Sequence, residues 1–229
     1  TQGQVINIVV GQAGTVYSSA PSGGGGSFVY VDSSTSLVIA GGAAGVYANY
    51  SSNADGQSGQ SAGYAKSSNG VLNGQWTAYA GQAYIGVGQG AWQGPNDSYS
   101  RFACSGGGTG WLSEGHDSGQ GSGSSSYVKV PPTGCGNSGC GGSYIGSASP
   151  FKGGKGSCQD YGWTNPGGFG GGGGGGCQGE GGGGGYTGGA GTYAANSHGG
   201  GGGSYNGGSN QSNTTGYQSG DGYVTITKN

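Results

Sequence analysis

The chain has 229 residues, of which 66 are Gly and 16 are Tyr, and only 30% of its residues are apolar. This is well below the roughly 45–50% of an ordinary globular domain, so one hydrophobic core cannot organise the whole chain. Six basic and eight acidic residues give a net charge of −2, which excludes the basic stripe of a nucleic-acid-binding protein.

Four short segments have the composition of β-strands. Residues 5–10 are β-branched and end at Gly11, and residues 27–31 and 36–40 flank a turn of Asp and Ser. Residues 222–227 alternate between apolar and polar side chains, which predicts a closing strand. We expect a small antiparallel β subdomain built from both ends of the chain, residues 1–42 and 218–229.

Residues 43–217 show no helical periodicity and contain glycine runs at 170–176, 181–185 and 199–203. A regular conformation open to such runs is the polyproline-II type, which has three residues per turn and no internal hydrogen bonds. Its N–H and C=O groups need partners on neighbouring chains, so such helices are expected to pack side by side. The predicted fold is therefore mainly β, with a large inserted bundle of polyglycine-II helices. Collagen is excluded because the Gly-X-Y repeat is missing.

The glycine runs are punctuated by aromatic residues and cysteines in a fixed order. Residues 158–169 contain Gly-Trp and Gly-Gly-Phe, a glycine run then leads to Cys177, and a second run leads to Tyr186. This pattern resembles the glycine-rich extracellular domain of the anaplastic lymphoma kinase and leukocyte tyrosine kinase receptors. Residues 8–14, 37–42 and 220–226 extend the resemblance. It implies a β subdomain like that of tumour necrosis factor, but no kinase activity, because the kinase motifs are missing.

The chain departs from these receptors at its first strand. The strands that precede this position in the family are not found ahead of Val5, which predicts an unpaired sheet edge, and such edges pair readily with other chains. The candidate residues for this assembly edge are Val5, Ile6, Ile8, Tyr223 and Val224.

Five cysteines, Cys104, Cys135, Cys140, Cys158 and Cys177, indicate an oxidising extracellular setting and a secreted protein. The resemblance implies a disulfide between Cys158 and Cys177. Cys104 would then pair with Cys135 or Cys140, leaving one thiol over. A zinc site formed by Cys135 and Cys140 with His116 or His198 is the alternative, but structural zinc sites usually have shorter, paired spacings, so no metal is expected.

Other motifs carry little chemistry. Glu114, His116 and Asp117 have the residue types of an acid/base pair but lie in a glycine-rich stretch without an accompanying nucleophile. We therefore expect neither enzymatic activity nor a cofactor. Sequons at Asn49, Asn96, Asn210 and Asn213 are candidate glycosylation sites.

Two functions fit these features. The low charge, the open edge, the odd cysteine and the outward hydrogen bonds of glycine helices favour a secreted protein that self-assembles into a fibre, sheath or surface coat. The alternative is a module that binds glycans or a protein ligand, as a receptor ectodomain or adhesin tip, through loops on a rigid scaffold. Nucleic-acid binding and membrane insertion are not expected. The aromatic residues are expected to fill gaps between glycine helices or to serve adhesion or cross-linking.

Overall fold

The computed structural model describes residues 3–16, 20–47, 50–63, 65, 105–112, 114–115, 151–154, 165–176, 179–192 and 198–227. These residues contain four β-strands and no helix. The strands are β1 (Asn7–Val9), β2 (Ser27–Asp32), β3 (Thr35–Ala40) and β4 (Tyr205–Asn206), and they form one antiparallel sheet in the order β1-β2-β3-β4. The predicted small antiparallel sheet is thereby confirmed.

The central hairpin follows directly from its sequence. Residues 27–31 and 36–40 are rich in Val, Ile, Tyr and Phe, which suit a pleated, half-buried surface, and both become strands. The turn between them is fixed by Asp32, whose Oδ1 accepts hydrogen bonds from the backbone N–H of Ser34 at 2.9 Å and from its hydroxyl at 2.7 Å. Side chains of this kind compete for backbone donors and so favour turns.

The two outer strands differ from the prediction. β1 has three residues instead of six, and the closing strand predicted at residues 222–227 was wrong. Only the first of those residues finds a backbone partner among the described residues, Gly222 donating to the carbonyl of Gly11 at 2.8 Å. The free side of β3 is paired by β4 instead, because the preceding glycine run brings the chain there and Ser204 accepts a hydrogen bond from Gly41.

The inner face of the sheet holds the main hydrophobic core. Strand register places Val9, Phe28, Ile39 and Tyr205 in one row across the four strands. Trp111 and Phe151, which come from the long insertion, cover this row and are themselves buried. The Phe28 ring centroid lies 4.7 Å from that of Phe151 and 6.1 Å from that of Trp111. Aromatic packing thus joins the sheet to the rest of the chain.

The glycine run at 181–185 donates hydrogen bonds with a period of three residues. Residues three apart along the run donate to carbonyls that are also three apart on one neighbouring segment. The donor and acceptor pairs are Gly181 with Pro21, Gly184 with Gly24, Gly182 with Gly106, Gly185 with Thr109, Gly183 with Gly200, and Tyr186 with Gly203. The run therefore faces three different neighbours in turn.

Carbonyl groups of the same run accept hydrogen bonds from further neighbours. Gly45 and Gly42 donate to the carbonyls of Gly181 and Gly184, which again gives a spacing of three. Gly173 and Gly189 donate to two other carbonyls of the run. Six segments, near residues 21–24, 42–45, 106–109, 173, 189 and 200–203, thus surround residues 181–186.

Close backbone approach explains why these positions are glycine. A Cβ atom on Gly182 would overlap the carbonyl group of Gly189, and one on Gly183 would overlap the carbonyl oxygen of Gly42. The obstructing atoms belong to backbone that is held by its own hydrogen bonds, so they cannot turn aside as a flexible side chain would. Any side chain at these positions would have to separate the segments.

Candidate assembly surface

β1 is an open edge of the sheet. It pairs with β2 on one side, and no described residue pairs with its other side. The apolar side chains along it face solvent, with Val5 72% exposed and Ile8 47% exposed, and Ile6 is exposed as well. Natural sheets usually protect such an edge with charged residues or Pro, whereas residues 3–16 contain neither. The segment has the properties of a pairing surface.

The outer face of the sheet continues this apolar surface. Strand register aligns Ile8 with Val29 and Val29 with Val38, so one row of aliphatic side chains crosses three strands. Ile8 and Val38, at the two ends of the row, are 47% and 42% exposed, and Val29 between them is partly buried. We call Ile8, Val29 and Val38 the outer row.

The C-terminal segment begins next to this open edge. Asp221 accepts a hydrogen bond from the N–H of Ala13 at 2.8 Å, and Gly222 donates to the carbonyl of Gly11 at 2.8 Å. Residues 221–222 therefore run antiparallel to residues 11–13. Beyond them Tyr223 and Ile226 are exposed and Val224 is partly buried. A hydrogen bond with Tyr217 raises the pKa of the Tyr223 hydroxyl above its ordinary 10.0.

The five candidate edge residues occupy two neighbouring segments. Val5, Ile6 and Ile8 lie along the open edge. Tyr223 and Val224 directly follow Gly222, whose hydrogen bond to Gly11 we call the anchor. The outer row was not predicted from the sequence. Alternation within the two hairpin strands could have revealed it, because Phe28 and Ile39 face the core while Val29 and Val38 must then face the other way.

Two buried polar pairs connect segments outside the sheet. His198 is fully buried, its Nδ1 lies 2.8 Å from the Gly199 carbonyl, and its Nε2 lies 2.9 Å from the Ser51 hydroxyl. The Ser and His residue types match a nucleophile and its base, but the buried imidazole is inaccessible to a substrate. The geometry suits a structural role in which hydrogen bonds of His198 connect its segment to that of Ser51.

The second buried pair is Glu180 with Thr192. The backbone N–H of Glu180 donates to the Thr192 hydroxyl at 2.9 Å, and the backbone N–H of Thr192 donates to the Glu180 carbonyl at 2.8 Å. The same hydroxyl donates to the Glu180 carboxylate. Both residues are buried, so the pair fixes the chain on either side of the central glycine run.

Several residues singled out from sequence lie outside the described residues. They are the five cysteines Cys104, Cys135, Cys140, Cys158 and Cys177, together with Asn49, Asn96, His116 and Asp117. Asn210 and Asn213 are exposed, and the Asn213 side-chain oxygen accepts a hydrogen bond from Asn206 at 3.0 Å. Glu114 is exposed as well. Within the described ranges, no three His, Cys, Asp or Glu side chains group together as metal ligands would.

Comparisons with known proteins add no relative. A scan against protein-family models and a search of curated proteins each found no match. In the part of the chain that the structure describes, no helix has the length and apolar character needed to cross a membrane.

Proposed function

We propose that this chain is an extracellular structural protein that self-assembles into a fibre, sheath or surface coat. The observation that carries the proposal is the open edge of β1, which is apolar, uncharged and exposed. Such an edge presents unpaired backbone donors and acceptors to another chain. The adjoining outer row adds apolar area that association would remove from water.

We further infer that the glycine segments are polyglycine-II helices attached to a sheet of the tumour-necrosis-factor type. The period of three in the hydrogen bonds of residues 181–186 supports this conformation, because a helix with three residues per turn presents each third residue to the same neighbour. Six surrounding segments also fit the hexagonal packing of such helices. A rigid glycine layer would hold the open edge in one orientation, as an assembling subunit requires.

The composition of the chain is compatible with assembly. A net charge of −2 on 229 residues provides little repulsion between copies.

Electron microscopy and sedimentation of the non-reduced chain test this function. We expect ordered filaments or sheets and a sedimentation coefficient that rises with concentration. Ile8→Lys places a charge in the middle of the open edge and is expected to abolish assembly, whereas Ser209→Lys, on an exposed loop, adds the same charge elsewhere and leaves assembly intact. A monomer of about 22 kDa at every concentration would contradict the proposal.

A second candidate function is the binding of glycans or a protein ligand. It is favoured by four exposed tyrosines, Tyr47, Tyr50, Tyr217 and Tyr223, because amphipathic rings on a rigid scaffold are common contact residues. Screening the monomeric Ile8→Lys variant against immobilised glycans tests it. Binding that disappears on Tyr217→Ala would favour this function, and the absence of any bound glycan would count against it.

A further inference from the structure

We propose that two copies of this chain exchange residues 223–227, each copy supplying a fifth strand to the open β1 edge of the other. This inference rests on the proposed self-assembly and specifies the contact that begins it. The partner is a second copy of the chain, and the surface is the edge formed by residues 5–10.

The anchor at Gly222 defines direction and register. Gly222 bonds to Gly11 and Asp221 bonds to Ala13, so the chain already runs antiparallel to the first segment when it reaches the sheet. Continued in this register, Val224 would stand opposite Val9 and Ile226 opposite Asn7. These contacts set the register relative to the chain's own edge. Exchange would form the same residue pairs with the identical edge of a second copy, the chain leaving its own copy after Gly222.

The side-chain alternation also matches this register. Val9 packs against the core on the inner face of the sheet, and directly opposed residues of an antiparallel pair share a face. Val224 and Ile226 would then extend the inner apolar face, while Thr225 would stand beside Ile8 on the outer face. Ile226, which is 61% exposed in the single chain, would become covered.

In the part of the chain that the structure describes, neither half of this contact has a backbone partner. Among the described residues, none makes a backbone hydrogen bond with residues 223–227 or with the open side of β1. The hydroxyl of Tyr223 instead bonds to Tyr217. An open edge and a strand-like segment that remain separate within one copy can each be satisfied by another copy.

Exchange between copies should be reciprocal. The donated segment follows Gly222, which is bonded to Gly11, two residues beyond the end of β1. The donated segment and the accepting strand therefore lie at the same end of the molecule. Two copies that face each other across this end can each donate and accept, which gives a closed two-fold dimer. The dimer would bring two outer rows together as a larger apolar surface for further growth.

Truncation gives the first test. The chain ending at Gly222 lacks the donated strand, while a control chain ending at Thr227 removes only the last two residues. The dimer dissociation constant should rise by about 100-fold or more in the shorter chain, because Val224 and Ile226 are no longer buried. The control should dimerise like the full chain. Circular dichroism of both chains checks that the fold is retained.

A charge pair distinguishes exchange between copies from closure within one copy. Ile8→Lys and Thr225→Glu each disfavour self-pairing, but they place opposite charges side by side when the two variants are mixed. We expect each variant alone to be mainly monomeric and an equimolar mixture to form a heterodimer. A mixture that remains monomeric would overturn the exchange.

The possible outcomes separate this inference from the proposed function. If the full chain and the chain ending at Gly222 assemble equally well, the strand exchange is wrong but self-assembly stands. If the full chain is a monomer whose β1 amides are protected from hydrogen exchange, and truncation removes that protection, the segment closes within its own copy and the exchange is wrong. A monomer with unprotected β1 amides in both chains overturns both proposals.

Discussion

The sheet is held together in a different way from the glycine layer, by which we mean residues 181–186 and the six segments that are hydrogen-bonded to them. In the sheet, side chains specify the packing, as Phe28 and Ile39 do when they meet Trp111 and Phe151 over the inner face. In the layer around residues 181–186, the main chain makes the contacts, and a Cβ atom at most of the described glycines would strike a neighbouring carbonyl. One region therefore depends on the side chains that are present, and the other depends on their absence.

The two regions should therefore tolerate different substitutions. A core side chain can be shortened at the cost of a cavity, and neighbouring groups relax partly around it. A glycine between two hydrogen-bonded backbones cannot be enlarged without separating them. The layer should therefore be the more sensitive region to the smallest possible enlargement, a single methyl group.

The largest effect is expected for Gly182→Ala. The new Cβ atom would overlap the backbone of Gly189 and approach that of Ala190, so we expect the free energy of unfolding to fall by about 3 kcal/mol or more. Gly24→Ala is the matched control, because its Cβ atom would lie 3.4 Å from the nearest atom, the Ala43 carbonyl oxygen. That variant should stay within about 1 kcal/mol of the parent chain.

Chemical denaturation of the oxidised chains measures both values. Equal stabilities for Gly182→Ala and Gly24→Ala would contradict the steric basis of the glycine layer. The glycine segments would then tolerate an added methyl group as well as other parts of the chain do.

A comparable loss, from a different cause, is expected for Phe28→Ala. Phe28 is fully buried and touches both rings that cover the sheet, so its removal should lower the free energy of unfolding by about 3–5 kcal/mol. Val38→Ala, on the partly exposed outer row, should cost less than about 1.5 kcal/mol. If both variants lost the same stability, the inner face would not be the core of the sheet.

A smaller effect is expected where side chains support the layer. Thr192→Val keeps the shape of the side chain but removes the hydroxyl that bonds the backbone and carboxylate of Glu180. Loss of these buried hydrogen bonds should cost about 1–3 kcal/mol. Thr192→Ser retains the hydroxyl and should be the more stable of the two variants in the same denaturation experiment. The reverse order would show that shape matters more than hydrogen bonding at this position.

The smallest effect concerns the hairpin turn. Hydrogen bonds from the Ser34 side chain and backbone hold the pKa of Asp32 below its ordinary 3.8. Because the folded-state pKa is lowered, the ionised carboxylate stabilises the fold above pH 3.8, and this contribution disappears as the pH falls through the folded-state value. Ser34→Ala should raise the pKa toward 3.8 in an NMR titration, while Ser33→Ala should leave it unchanged. An unaltered pKa in Ser34→Ala would refute this assignment.

The sequence predicts the sheet better than it predicts the connections around it. β2 and β3 are evident because β-branched and aromatic residues mark them, and a polar turn joins them. β4 could not be anticipated, since its Tyr-Asn pair has no strand signal and depends on where the preceding glycine run leads. Residues 222–227 do have that signal, but no described residue supplies them with a partner strand.

Neighbours in the glycine layer cannot be deduced from sequence for a simpler reason. A run of identical residues contains no register information, because shifting it by one position changes no side chain. Which carbonyl Gly183 reaches is decided by all the surrounding segments together. Within the candidate assembly surface, the exposed edge residues could be named in advance because Val5, Ile6 and Ile8 carry side chains that identify a strand.

The six-sided surroundings of residues 181–186 bear on how the chain folds. Their partners come from residues 21–24, 42–45, 106–109 and 200–203, and many of these lie more than 70 positions away along the chain. Contacts between such distant positions form slowly, because long loops must close before any hydrogen bond compensates for the lost entropy. The central run would then be ordered late and all at once, making the region with the fewest side chains the last to reach its native form.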